Sequence, residues 1–548
     1  MPTLPGDAQI AARFSRAWPL ALLLPVAGFV LVRGLGAAGL WDPWEPYWAD
    51  AAREAGRHGW FRAGTAPPLS LWGMLAGSAV VGENEWGLRS GGVLLALLVL
   101  LCVAYVVERL HGRRAALLAT LVVLSTPLFY FPARQTTPEI YLLSTAGSAL
   151  LLFGLALFRP DERRLAHCAA GACALALALL SAAPLVALAA VAGPFLIYGL
   201  VRIGSERPGG SRPALVTAAV VAGIVVLLAG PWYVTALTGP ATALDLLGSV
   251  QPPTLTDDQP GASVFYLRTW VFGFFPWTCL LPIALAGIAS AWRDGIRARG
   301  FEICLLLSGL LTFVTINASP DRLPQALAPA AVPIAVLVGI AIERIFQHAT
   351  PTAARLSFGI AALLYLPALA DLRKTGGLRY LLGSFTIERE VPKDFDAGTA
   401  FTVLPVLFAL GLLLGVFARS RALAWTLVAV ATALAAHNAG TLVPALSDGK
   451  SVKAVFDASA ASATGIDTLG YLGEERPGVR YYAGSALRVL GGVEQFLEHM
   501  DPRRPALAVV DKKSVVPADR SFRERYPGRK LRLIYRGATD LIVLSNQD

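Results

Sequence analysis

Between Gly39 and Pro68 the chain reads GLWDPWEPYWADAAREAGRHGWFRAGTAPP. The acids Asp42, Glu45, Asp50 and Glu54 lie there among Trp41, Trp44, Tyr47, Trp48 and Trp60. Carboxylates among aromatics, on a long loop at a membrane surface, can do acid/base work on an amphipathic substrate. The same spacing has a local reading. Asp42, Pro43 and Glu45 resemble an N-cap, a first-turn proline and a capping-box acid opening a helix. The tryptophans would then float that helix in the interface. The two readings are compatible, because a cap can sit at a site.

Further charged residues stand at the edges of apolar runs. Glu139 follows Pro138 in FPARQTTPEIYLL, where a helix N-terminus would stabilise its carboxylate. Arg134, five residues earlier, suits a lipid headgroup or a topological role. Arg322, in NASPDRLPQALAP, either snorkels or meets a phosphate. Arg53 adds a cation to the first loop, and Arg89 sits where it would anchor its helix at the interface. His58 reads as a loop histidine and His437, in an apolar run, as a hydrogen-bonded core residue. Cys102, Cys168, Cys173, Cys279 and Cys304 all lie in apolar runs without ligand spacing and read as small core residues. No metal set stands out. No cofactor is indicated with certainty, and a divalent metal is compatible with phosphate chemistry.

The elements that must position these residues are membrane spans. Of the 548 residues, 55% are hydrophobic and 15% charged, and the mean hydropathy is +0.58, which excludes a soluble domain of this size. Apolar runs near 17–38, 88–108, 114–132, 138–158, 165–183, 184–203, 214–237, 275–292, 302–318, 323–343, 354–371, 401–418 and 422–446 predict about thirteen spans. The first is read as an uncleaved helix. With the N-terminus in the cytoplasm, one set of short connections is consistently basic. It holds Arg109, Arg113 and Arg114, then Arg159, Arg163 and Arg164, then Arg202, Arg207 and Arg212. Arg293, Arg297, Arg299, Arg344, Arg355, Arg419 and Arg421 continue the series, as the positive-inside rule requires. The net charge of +10 is therefore topological, and nucleic acid is not an expected partner.

The residues 39–87, 134–139, 238–274, 319–322 and 373–398, with the tail, then share the outer, periplasmic side of an inner membrane. Pro68–Gly82 is too short to span and predicts a re-entrant or interfacial helix. The segment 238–274, with QPPTLTDDQPG, is long enough to be a lid. The tail, 447–548, predicts a small α/β domain, structural or docking in role, with VRYYAG, ALAVVD and DLIVLSN as strands and GGVEQFLEHM and DRSFRERY as helices. Nucleotide sugars are absent outside the inner membrane. Glycosyl transfer there needs a lipid-phosphate donor, a carboxylate for the acceptor proton, and cations or a metal for the departing phosphate.

At these residues the chain resembles the GT-C superfamily of membrane glycosyltransferases, in the branch of protein O-mannosyltransferases and lipid A aminoarabinose transferases. WDPWEPYWADAAREA resembles that branch's D-P-x-E-x-x-Y-A-E-x-A-R-E-M stretch, APPLSLW its K-P-P-L-x-x-W, ENEWGLRS its E-x-x-x-R-x-P-S and ARQTTPEIYL its A-R-x-x-T-x-D-x-x-L. GPWY, FFPW and the Ser319-to-Arg322 turn recur as well, and the resemblance covers about residues 17–345 and, more loosely, the rest. Departures cluster at the site. Trp44 stands where the family has its catalytic aspartate, Tyr47 replaces an arginine, Ala66 replaces a lysine implied in lipid-phosphate binding, and Glu139 replaces an aspartate. Pro324, Gln325 and Ala326 stand where a histidine and tyrosine often follow the turn.

The resemblance implies a GT-C transmembrane domain over 1–446, with 39–87 as its first loop, and the α/β domain over 447–548. It implies an inverting transferase moving a sugar from a polyprenyl-phosphate donor to a lipid A-like glycolipid or a protein. Asp42, Glu45 and Glu139 would be catalytic, and Arg53, Arg89, Arg134 and Arg322 would bind the lipid phosphate. The second reading is an inactive relative acting as a lipid-binding or scaffold subunit. A transporter is disfavoured by the lack of an internal repeat and the few ionisable residues deep in the spans.

Overall fold

The computed structural model describes residues 23–59, 68–203, 212–238, 262–294, 299–318, 323–347, 349–372, 378, 381–382, 396–418, 421–462, 468–536 and 539–547. It is a polytopic helical protein with a small α/β domain at its C-terminus. Among the described residues nine helices are long and apolar enough to cross a membrane, or eleven if each of two bent pairs is one span.

Helix α1 (Leu23–Val32) leads through turns into α2 (Trp44–His58), which the first loop lays against the rest. Helix α3 (Pro68–Val81) is apolar but only 14 residues long, as expected of a non-spanning helix. It packs on α4 (Glu85–His111), whose N-cap Asn84 accepts the Gly87 N–H at 3.0 Å. Glycines allow the approach: a Cβ on Gly77 would stand 2.1 Å from the Gly87 carbonyl oxygen.

The next span is broken. Helix α5 (Arg113–Leu124) meets the segment Pro127–Arg134 at 69°, at a proline that cannot continue the hydrogen-bond ladder. Helix α7 (Glu139–Phe158) follows, with α6 (Pro127–Tyr130) and a 3₁₀ turn, Pro132–Arg134, just before it. The second bent pair, Ser263–Gly273 with Trp277–Ala289 at 100°, corrects the sequence reading. The end of the expected lid is the helix Ala262–Gly273; at 12 residues it was too short to register as part of a span. The rest of that lid, residues 239–261, lies outside the described residues, as do Ser319–Arg322 and most of 373–395. The last span also runs on past its expected end. It passes through a π-helical turn, Asn438–Leu442, into a helix ending at Lys450.

The C-terminal sheet has the order β2-β1-β3-β5-β4, with β1 (Leu469–Leu472), β2 (Leu487–Val489), β3 (Leu507–Asp511), β4 (Arg532–Arg536) and β5 (Leu541–Ser545). β1 pairs parallel with β2 and β3, and β5 runs antiparallel to β3 and β4. β3 and β5 are buried along their whole length, which is why ALAVVD and DLIVLSN were legible as strands. VRYYAG is not a strand. It belongs to the helix Pro477–Ala483, opened by a proline whose missing N–H costs nothing at the first position. The expected core cysteines are buried or half-buried except Cys173, which is exposed.

Candidate active site

Glu45 lies at the start of α2, fully buried. Its Oε1 accepts from Arg89 Nε at 2.9 Å and from the Thr136 N–H at 2.8 Å. Its Oε2 accepts from Arg89 Nη2 at 2.7 Å and from the Trp41 N–H at 3.0 Å. The bond to Trp41 is the local capping reading, shifted one residue from Asp42. Arg89, 2% exposed, is no interfacial anchor. Its remaining donors reach the carbonyls of Leu35 and Ala38, both at 2.7 Å, and Gly39 at 3.1 Å. The pair therefore ties the first loop, α4 and the turn before α7 into one unit.

Arg134 is held by backbone carbonyls through both terminal nitrogens, while its Nε is buried without a partner. Nη1 donates to the carbonyls of Val30 and Leu31, and Nη2 to those of Arg33 and Ala439. These are end-of-helix carbonyls of α1 and a carbonyl loosened by the π-helical turn, groups that lack intrahelical partners. In this arrangement the guanidinium of Arg89 is fully engaged by protein acceptors, and that of Arg134 keeps only Nε without one.

Asp42 and Arg53 face the C-terminal domain. Asp42 Oδ1 accepts from Gly478 N at 2.8 Å, at the start of the helix Pro477–Ala483. Arg53 donates to the Tyr481 carbonyl at 3.1 Å and lies 4.2 Å over the Tyr481 ring. Asp50 pairs with Arg480 at 3.1 Å. Tyr482 completes the seam: its hydroxyl accepts from Leu40 N at 2.7 Å and donates to Glu85 Oε1 at 3.0 Å. Burial, with Glu85 beside it, raises the Tyr482 phenol, which keeps it a proton donor. Lys453 joins Glu85 at 2.9 Å. Glu85 also lines an open cavity of about 560 Å³ with Gly36, Val81, Asn84 and Trp86. Glu85 lies in ENEWGLRS without a local signal for its role, and Lys453 has none either.

Glu139 lies at the start of the next span. It is 6% exposed at the first turn of α7, and its Oε2 is buried with no hydrogen-bond partner. The hydroxyls of Thr136, Thr137, Tyr141 and Ser144 are buried and unpartnered as well. Buried polar atoms are normally satisfied, so these orphans between Thr136 and Ser144 are groups that polar ligand atoms or water can satisfy. Glu45 and Glu139 thus meet the same turn from opposite directions, one saturated and one open. Arg322 lies outside the described residues. Among the described residues no three His, Cys, Asp or Glu side chains form a metal-ligand group.

Residues 65–232 match the dolichyl-phosphate-mannose-protein mannosyltransferase family. The undecaprenyl phosphate-α-4-amino-4-deoxy-L-arabinose arabinosyl transferase 2 of Pseudomonas fluorescens is 26% identical over 394 residues, 67% of this chain and 64% of the relative. The alignment thus spans a little under two thirds of that protein's length. The crystal structure of ArnT from Cupriavidus metallidurans in the apo state superposes with a TM-score of 0.70 at 18% identity, covering 98% of both chains. The chain has the GT-C fold. ArnT bound to undecaprenyl phosphate superposes equally well, at 0.70 over 97% of this chain. Near-complete coverage of both chains places the C-terminal α/β domain within the shared GT-C architecture, together with the spans.

Proposed function

We propose that this protein is an inverting glycosyltransferase that takes a sugar from a polyprenyl-phosphate donor on the outer face of an inner membrane. The observation that carries the reading is the buried Glu139 carboxylate, at the family's acid position, whose Oε2 has no hydrogen-bond partner and which lies among buried, unpartnered hydroxyls. Support also comes from the arabinosyl transferase relative and from the GT-C neighbour with undecaprenyl phosphate bound. Glu139 takes the acceptor's proton as the acceptor oxygen or nitrogen attacks the anomeric carbon from the face opposite the phosphate. The bond from that carbon to the phosphate oxygen breaks, and its electron pair leaves with the polyprenyl phosphate. Thr136, Thr137, Tyr141 and Ser144 supply hydroxyls that orient the sugar. We assign the departing phosphate to Arg322, by its place in the family's turn. The acceptor is a lipid A-like glycolipid or a protein.

The saturation of Glu45 and the alanine at position 66 favour a second reading, an inactive relative acting as a lipid-binding or scaffold subunit. Full-length protein in lipid nanodiscs, given a polyprenyl-phosphate-linked sugar and a glycolipid acceptor, separates the two. Glycosylated product with wild-type protein, lost in Glu139→Gln at unchanged thermal stability, supports the enzyme. An unaltered rate in Glu139→Gln removes Glu139 as the base. A deletion strain with unchanged envelope lipids and proteins favours the scaffold.

A further inference from the structure

A second, smaller cavity of about 220 Å³ lies at the arginine-rich ends of the spans, away from the turn at Glu139. It is lined by Arg114, Leu118, Glu343, Phe346, Arg421, Ala424 and Trp425. That volume is below the roughly 300–1,000 Å³ of sites for drug-sized ligands, and suits a group of a few heavy atoms. We propose that it holds the headgroup of a zwitterionic phospholipid with a primary amine, the phosphate on Arg114 and Arg421 and the ammonium on Glu343.

Three helix ends converge there with matching polarity. Arg114 is in the first turn of α5, and Arg421 is the first residue of the helix Arg421–His437. Helix N-termini favour an anion, so the two helix ends add to the two guanidiniums. Both arginines are exposed, and among the described residues neither has a hydrogen bond or ion pair. Their donors are therefore available to a phosphate, for which guanidinium geometry is well matched.

Glu343 is the opposite case. It sits just before the last turn of the helix Ala331–Gln347, toward the end where the helix dipole disfavours a carboxylate. It is 8% exposed, and among the described residues its side-chain partner is the neutral amide of Gln347. A nearly buried carboxylate at the wrong end of a helix, without a cation of its own, calls for a positive ligand group. The neighbouring Arg344 is committed to Glu302. Trp425, 37% exposed, and Phe346 provide the aromatic lining common where a headgroup meets the acyl region. A pure anion would satisfy the arginines and repel Glu343. A quaternary amine would reach Glu343 without a proton to donate.

The test is native mass spectrometry of the delipidated full-length protein titrated with phosphatidylethanolamine, phosphatidylglycerol and phosphatidylcholine. Wild-type protein should bind one phosphatidylethanolamine about tenfold more tightly than either alternative, the scale of one charge-assisted hydrogen bond. Glu343→Gln should erase that preference, and Arg114→Gln with Arg421→Gln should remove the bound lipid. Ala424→Phe keeps every charge and fills the cavity, so it should displace the lipid even if the charge variants fail to purify. Equal affinity for the three lipids, tighter binding of phosphatidylglycerol, or unchanged binding in Ala424→Phe would overturn the assignment.

Discussion

Arg89 grips Glu45 in a two-pronged hydrogen bond, Nε to Oε1 at 2.9 Å and Nη2 to Oε2 at 2.7 Å, across 44 positions of sequence. Both side chains are withdrawn from solvent, at 2% and 0% exposure. Two backbone N–H groups complete the carboxylate, so its lone pairs are occupied before any substrate arrives. This relationship separates the two acids: Glu45 is saturated by protein groups, whereas Glu139 keeps a buried Oε2 without a partner, which is why the proposed base is Glu139.

Removing either partner should therefore unfold the corner. Glu45→Ala or Arg89→Ala leaves a buried charge without its counterpart, at about 3–5 kcal/mol. Thermal unfolding in detergent should show a clear loss of stability in both, and a double-mutant cycle should show strong coupling. A Glu45→Ala protein that keeps its melting temperature while losing transfer would return Glu45 to the role of base.

The close approach of α3 to α4 gives a test of opposite sign to helix propensity. Gly→Ala inside a helix ordinarily stabilises by about 0.5–1 kcal/mol. At Gly77 the added Cβ would stand 2.1 Å from the Gly87 carbonyl oxygen and 2.3 Å from Ser90 Oγ. Gly77→Ala should destabilise by about 1–3 kcal/mol, the usual effect of overpacking. A stabilised variant would show that α3 is free to move off α4.

How far this could be read in the sequence depended on the range of each interaction. The spans were legible because each is a run of apolar residues long enough to cross a bilayer, and most expected runs coincide with helices. The 100° bend was not, because its first helix is only 12 residues long. The capping spacing of Glu45 was legible, since Trp41 is four residues away. Its pairing with Arg89 and Thr136 was not, since nothing local links those positions. VRYYAG looked like a strand by composition. Its neighbouring tyrosines instead reach back to Arg53, Leu40 and Glu85, a tertiary demand that propensity does not record. Glu139 was legible as a helix-start acid, but its missing partner is visible only in three dimensions.

The seam to the C-terminal domain should depend on one hydroxyl. Tyr482→Phe leaves the Leu40 N–H without its acceptor and removes a donor from Glu85, each worth about 1–3 kcal/mol when buried. Hydrogen exchange should rise in α2 and in the helix Pro477–Ala483, while β3 and β5, buried at every position, stay protected. Uniformly raised exchange across the sheet would mean that the domain has no stability apart from the seam.

The seam also constrains orientation. Gly39 N donates to Ser447 Oγ at 2.9 Å and Asp42 accepts from Gly478, so the first loop and the C-terminal domain must share one side of the membrane. The arginine distribution chooses the side. Arg109, Arg113, Arg159, Arg163 and Arg164 gather at the other ends of α4, α5 and α7, and by the positive-inside rule such connections are expected in the cytoplasm. A reporter active only in the periplasm should therefore work when fused after Asp548 and when inserted after Gly59. It should be silent between Arg159 and Arg164. If the fusions at Gly59 and Asp548 disagree, the seam is not formed in the membrane. If they agree but are silent while the Arg159 insertion is active, the protein is inverted. Glu139 would then face the cytoplasm, where nucleotide sugars are present, and the case for a lipid-phosphate donor would lose its chemical reason.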